Sequence, residues 1–184
     1  KFDLAKAKEF LKAAGYTDAS KVPKIEIRFN TNEDHQRVAE NIQAQLKQNL
    51  GLNIELKNEE WKVFLSTLKT DPPQVFRFGW LADYPDPNNF VELMTSYSDN
   101  NHTKWGSKKF DDIVVQAAAS ASDSERQKLY DEAQKILLED DVAMVPLYTG
   151  VGLLLVSERV ENYPMNVMWR YEYKNVKLKA ETAK

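Results

Sequence analysis

The segment Gly79-Trp80-Leu81-Ala82-Asp83-Tyr84-Pro85-Asp86-Pro87 gathers an indole, two carboxylates and three turn-forming residues into one stretch. Asp83 could present its carboxylate to a cationic group beside the apolar wall of Trp80. Such an ion pair gains most when it is partly desolvated and backed by further hydrogen bonds. Asp83 and Asp86 together could also serve as a carboxylate pair for acid–base work. Asp and Pro are ordinary turn residues as well, and composition alone favours the turn. Trp61 has two readings, a pocket wall or a core aromatic at a helix start, and burial in a core is the commoner fate of such a residue. Arg77, inside a predicted strand, could meet a carboxylate in fork geometry or pair with a nearby acid of the chain. The residues alone favour the internal pair.

Other chemistries lack their residues. There is no cysteine, which removes disulfides, thiolate catalysis and sulfur-ligated metal sites. His35 and His102 stand far apart, and no metal-binding His spacing is present. A metal set of Asp83, Asp86, Asp99 and His102 explains the loop less simply than a Pro-rich turn does. The 6 glycines form no phosphate loop or dinucleotide fingerprint. Ser66, Ser96 and Ser107 lack the Gly-x-Ser-x-Gly elbow. The residues by themselves therefore give no sign of an enzyme, a metal or a cofactor. Twenty-five basic against 28 acidic side chains give a net charge of −3, which argues against a nucleic-acid partner.

These residues need elements to hold them. Asp3 is a good N-cap for a helix carrying Leu4, Ala7, Phe10, Leu11 and Ala14, and Gly15 stops it. Lys24 to Phe29 alternates as a strand. A helix starting near Thr31 to Glu33 carries Val38, Ile42, Leu46 and Leu50 and ends at Gly51. Leu52 to Leu56 alternates again. Trp61, Phe64, Leu65 and Leu68 suit a short helix, and Val75 to Trp80 reads as a strand after Pro72-Pro73. This order predicts an α/β unit with a largely parallel sheet. It places the Ala82–Asn89 loop at a strand's carboxyl end, where ligands of open α/β sheets usually sit. Two helices follow, Phe110–Ala121 and Asp123–Leu138. One or two strands are expected over Val142–Val156, and further strand structure over Val167–Leu178. The most apolar stretch, Ala143 to Val156, is shorter than the about 20 residues of a membrane-spanning helix and contains Pro146, Gly150 and Gly152.

The 184 residues would fit one domain, but the motifs in their order resemble something larger. Ala5–Tyr16 (AKAKEFLKAAGY), the Val38–Leu56 helix and strand, and Glu60-Trp61 with Phe64-Leu65 carry the first part of the likeness. The Gly79–Pro87 loop, Asn100-Asn101 followed by Phe110-Asp111, and Arg126 with Leu129-Tyr130 and Glu132-Ala133 carry it further, and Val145-Pro146-Leu147-Tyr148 completes it. Together they resemble the C-terminal part of an extracytoplasmic solute-binding protein of the peptide-transporter type, solute-binding family 5.

The resemblance implies a type II periplasmic-binding-protein-like lobe, with a largely parallel or mixed sheet flanked by helices and truncated on its N-terminal side. It implies a partial ligand-binding lobe over residues 1–150 and crossover strands over 151–184 that return to an absent lobe. The start at Lys1-Phe2-Asp3, without Met or signal peptide, fits a processed or cut chain. The implied ligand is an extended peptide. Asp83 would hold its α-ammonium, Trp61 and Trp80 would wall side-chain pockets, and Arg77 would meet its carboxylate. The backbone of Gly79, Trp80 and Leu81 would pair with its main chain. Implied partners are the peptide and the membrane subunits of an ATP-driven importer, outside the cytoplasm, in the periplasm or as a cell-surface lipoprotein. Alternatives are a non-peptide solute (a metal chelate, opine or oligosaccharide) and a carboxylate-based hydrolase. Two departures stand out: Leu68-Lys69 where some relatives have a further Arg, and Thr149-Gly150 where relatives often have aromatics after the tyrosine. Strands without partners expose edges, so the isolated chain is expected to dimerise through them or to leave its tail poorly ordered.

Overall fold

The computed structural model describes residues 2–180. Contacts group the chain into two compact units, the first ending at Gly79 and the second beginning at Trp80.

In the first unit, capping residues set the helix limits. Asp3 accepts a hydrogen bond from the Lys6 amide and opens α1, Leu4–Ala13. Gly15 follows it at φ +90°, while the Tyr16 amide bonds the Leu11 carbonyl. Asn32 accepts from the amides of both Asp34 and His35 and opens α2, Glu33–Leu50. Gly51 closes α2 in the left-handed region at φ 71°. There the Leu52 amide still bonds back to the Leu46 carbonyl. Leu52 thus belongs to the helix cap, and the second strand starts at Ile54 rather than at Leu52 as its alternation predicted.

Strands β1 (Ile25–Asn30), β2 (Ile54–Glu59) and β3 (Val75–Phe76) form a parallel sheet in the order β2-β1-β3. Helix α3, Trp61–Thr70, joins β2 to β3. The register pairs Ile25 with Ile54 and Asn30 with Glu59. Ile27, Leu52 and Ile54 are buried, with Leu11 of α1 and Ile42 and Leu46 of α2 packed against them. On the other face of β1, Arg28 is paired with Glu26 and, at 3.2 Å, with Glu59. The predicted strand–helix–strand–helix–strand order is present. Its last strand is shorter than expected, because the Arg77 amide makes its bond to the Arg28 carbonyl and the chain then leaves the sheet.

The second unit is helical at its centre. Helix α4 is the short Asn88–Val91. Helices α5 (Lys108–Ala119) and α6 (Asp123–Lys135) are capped by Ser107 and Ser122 and pack against each other and α4. Phe110, Ile113, Val114 and Ala117 form the buried stripe of α5, at the spacing of one helix face. A π-helical turn, Ile136–Asp140, extends α6.

Beyond it the expected strands over Val142–Val156 are absent, and so is most of that over Val167–Leu178. Among the described residues past that turn, the strands formed are β4 (Val160–Glu161) and β5 (Lys177–Leu178), an antiparallel pair. Strand structure needs a neighbour to receive its backbone hydrogen bonds. Here the apolar side chains stand in solvent, Leu153 at 94% and Leu155 at 102% exposure. The end of the 151–184 segment, residues 181–184, lies outside the described residues.

Candidate functional site

The residues singled out by sequence fall in both units, and each set is described in its own unit. In the first, Trp61 is the opening residue of α3, behind Glu60, whose carboxylate caps the helix by accepting from the Lys62 and Val63 amides. Its ring stacks on Phe64 with centroids 6.3 Å apart, yet remains 48% exposed. Trp61 is therefore a half-open aromatic plate rather than a core residue. Arg77 follows β3 and is half-buried. Its guanidinium crowds Gly79: a Cβ added there would stand 2.7 Å from Nη2, so any larger residue would displace it.

His35 shares these surroundings with Arg77. Burial lowers its pKa and the nearby Arg77 guanidinium lowers it further, so the imidazole is neutral near pH 7. The sequence signal for this pair was slight. His35 is the third residue of α2, just past the carboxyl end of β1, and Arg77 is hydrogen-bonded to β1 through its backbone.

In the second unit, Trp80, Leu81 and Asp83 open a loop closed by a single amide. Asn89 Oδ1 accepts the Trp80 indole N–H at 2.9 Å and the Asp83 backbone N–H at 2.9 Å. Asn89 is buried, and its carbonyl uses both lone pairs. The Asp83 carboxylate itself takes no part in these two bonds. It is 60% exposed, with Arg170 Nη2 at 3.5 Å, a loose pair of little energetic weight. Leu81 is exposed, and residues 77–82 have no regular secondary structure.

Asp86 behaves differently from Asp83. Both its oxygens accept from Arg126 Nη2, at 2.8 and 2.7 Å, and Oδ1 also accepts the Asn88 amide. The Arg126 hydrogen bond holds the Asp86 carboxyl below the usual carboxylate value. Arg126 also donates Nε–H to the Ala117 carbonyl and Nη2–H to the Tyr130 hydroxyl, and that hydroxyl donates to Asn88 Oδ1. The two carboxylates therefore have separate surroundings: Asp83 is an open acceptor, and Asp86 is a tie between the loop and α6. Sequence reasoning missed Asn89 and the partnership of Asp86 with Arg126, whose residues are 40 apart.

Asn101 and Asp111, which the resemblance included, have local roles. Asn101 Nδ2 donates to the Trp105 carbonyl at 2.8 Å, and Asp111 Oδ1 accepts the Ser96 amide at 3.0 Å. Among the described residues no group of three His, Asp or Glu is placed to hold a metal ion, and no helix is long and apolar enough to cross a membrane.

A family model described as bacterial extracellular solute-binding proteins, family 5 middle, matches residues 1–102. The periplasmic oligopeptide-binding protein of Salmonella typhimurium is 38% identical over 157 residues, covering 85% of this chain and 28% of that protein. The periplasmic murein peptide-binding protein of Escherichia coli is 33% identical over 162 residues, covering 88% of this chain and 30% of that protein. Among solved structures, the Haemophilus influenzae oligopeptide-binding protein in complex with the peptide RPPGFSPFR matches at a TM-score of 0.79 and 31% identity. That match covers 88% of this chain and 31% of the other. The chain thus spans under a third of the length of these relatives.

Proposed function

The chain belongs to the bacterial extracellular solute-binding proteins of family 5, and from that premise we propose that it forms part of the ligand-binding lobe of a peptide receptor serving an ATP-driven importer. The receptor acts outside the cytoplasm, and the importer's membrane subunits are its protein partners. Its ligand is an extended peptide whose main chain runs along Gly79, Trp80 and Leu81 as an added strand. Main-chain groups are common to all peptides, so this mode tolerates many sequences. Asp83 holds the α-ammonium, Trp61 and Trp80 wall side-chain pockets, and Arg77 meets a carboxylate. The chain binds and releases solute without chemical change.

The observation that carries this reading is Asp83. Its backbone is fixed by the buried Asn89 amide, while its carboxylate stays 60% exposed with Arg170 only loosely placed at 3.5 Å. An ordered acceptor left open in this way is what a ligand cation needs, since little ordering remains to be done on binding. The bareness of Gly79 to Leu81 fits a backbone available to a guest strand, and the peptide-bound relative is consistent with the same class of ligand.

The segment 151–184 is proposed to cross to a further lobe. Support comes from residues 151–156, which form no strand, and from Val151, Leu153 and Leu155, all more than 80% exposed. In the isolated chain the same surface drives self-association.

In the full-length receptor, Asp83→Ala is expected to weaken binding of a free-amine peptide by about tenfold or more, the size of a lost charge-assisted bond. It should leave N-acetylated peptide little changed, as read by titration calorimetry. Equal affinity for both peptides, unaffected by the substitution, would overturn the amine role.

A further inference from the structure

We infer that Asn89 is a positioning residue that sets selectivity for the ligand's amine, by locking the Asp83 backbone and the Trp80 ring to one oxygen. This rests on the reading of Asp83 as the ammonium acceptor. The geometry is specific. Two donors six and nine residues upstream, one backbone and one side chain, converge on Asn89 Oδ1 at the same 2.9 Å. The arrangement couples the two parts of the site. The aromatic wall and the Asp83 backbone are bonded to the same oxygen, so a displacement of the Asn89 amide disturbs both. Asn89 is 8% exposed, so water does not readily replace its oxygen, and a buried donor left without an acceptor is costly.

The amide is itself held from below. It lies in α4, the turn that follows Asp86, and Asp86 is gripped by Arg126 of α6. The neighbouring Asn88 receives the Tyr130 hydroxyl of the same helix. The loop is therefore braced twice, by Asn89 above and by the Arg126–Asp86 tie at its far end. A binding group supported in this way keeps its geometry when no ligand is present.

The test compares trialanine with N-acetyl-trialanine on the full-length receptor by titration calorimetry. Asn89→Ala removes the shared acceptor and is expected to lower the free-amine preference, the ratio of the two affinities, at least fivefold. Asn89→Asp keeps an acceptor for both donors and adds charge that favours an ammonium, so it should hold the preference at or above the parent's. A general loss of folding would reduce the active fraction for both peptides alike and leave the ratio unmoved. Should the Ala variant fail to fold, Asn89→Ser, too short to serve both donors, takes its place with the same expected fall. An unchanged ratio in Asn89→Ala or Ser, or an equal fall in Asn89→Asp, overturns the role. Asp83→Ala is the separate control. If it leaves the ratio unchanged, the amine reading fails at Asp83 itself, and the inference falls with it. If only Asp83→Ala lowers the ratio, the amine reading stands and the Asn89 inference alone is wrong.

Discussion

At the scale of single residues, two carboxylates three positions apart have been given opposite tasks by their neighbours. Asp86 accepts from Arg126 with both oxygens, and its pKa is held below the usual 3.8. A carboxylate whose folded pKa is depressed stabilises the fold above its unfolded value, and that stabilisation is lost as pH falls through the folded value. The urea midpoint of the parent should therefore exceed that of Asp86→Asn near neutral pH, and the gap should close below about pH 4. A gap that did not narrow at all on acidification would mean that Asp86 acts through shape rather than charge. The loop's composition displayed its carboxylates but not their division of labour. Pro85 and Pro87 mark a turn wherever they occur, whereas Arg126 reaches Asp86 only once α6 has packed beside α4. Asn89 was still less visible, because an Asn in a Pro-rich stretch is explained by the turn before any second role is needed.

Among elements, the longer helices were legible because their ends are written locally, whereas the short α4 overlaps a stretch whose composition reads as a loop. Asp3, Asn32, Ser107 and Ser122 all accept a hydrogen bond from an amide of the helix they open, and each is a type that does so by short-range chemistry. Gly51 marks the other end of α2. It sits at φ 71°, and a Cβ there would lie 3.2 Å from that of Ala19. Gly51→Ala is expected to cost about 1 kcal/mol from the left-handed backbone alone, with a further loss if Ala19 cannot yield, measured as a drop in urea stability. Strands lack such local marks. Val142–Val156 and Val167–Leu178 have the alternation or apolarity of strands, yet alternation states only that a segment could pair. Whether a partner is at hand is decided elsewhere in the protein. β1 found partners on both sides, while Leu153 to Leu155 found none.

On the scale of the whole molecule, length and contacts give different pictures. One domain's worth of residues divides at Gly79 and Trp80, inside what alternation presents as a single strand, so no composition shift marks the boundary. The apolar run at Val151–Val156 belongs to this scale as well, because an exposed patch of this kind calls for a covering surface. Light scattering of the isolated chain is expected to show concentration-dependent association. Replacing Leu153 and Leu155 with Ser should abolish it without lowering thermal stability, since both side chains are already in solvent. A monomeric parent with an ordered tail would refute this. The sheet order β2-β1-β3 carries one more consequence. The strand at its centre is the first of the three to leave the ribosome. Each later strand can then add to an edge still open, so no segment has to be threaded between two that have already paired, and the sheet can assemble outward in the order of synthesis.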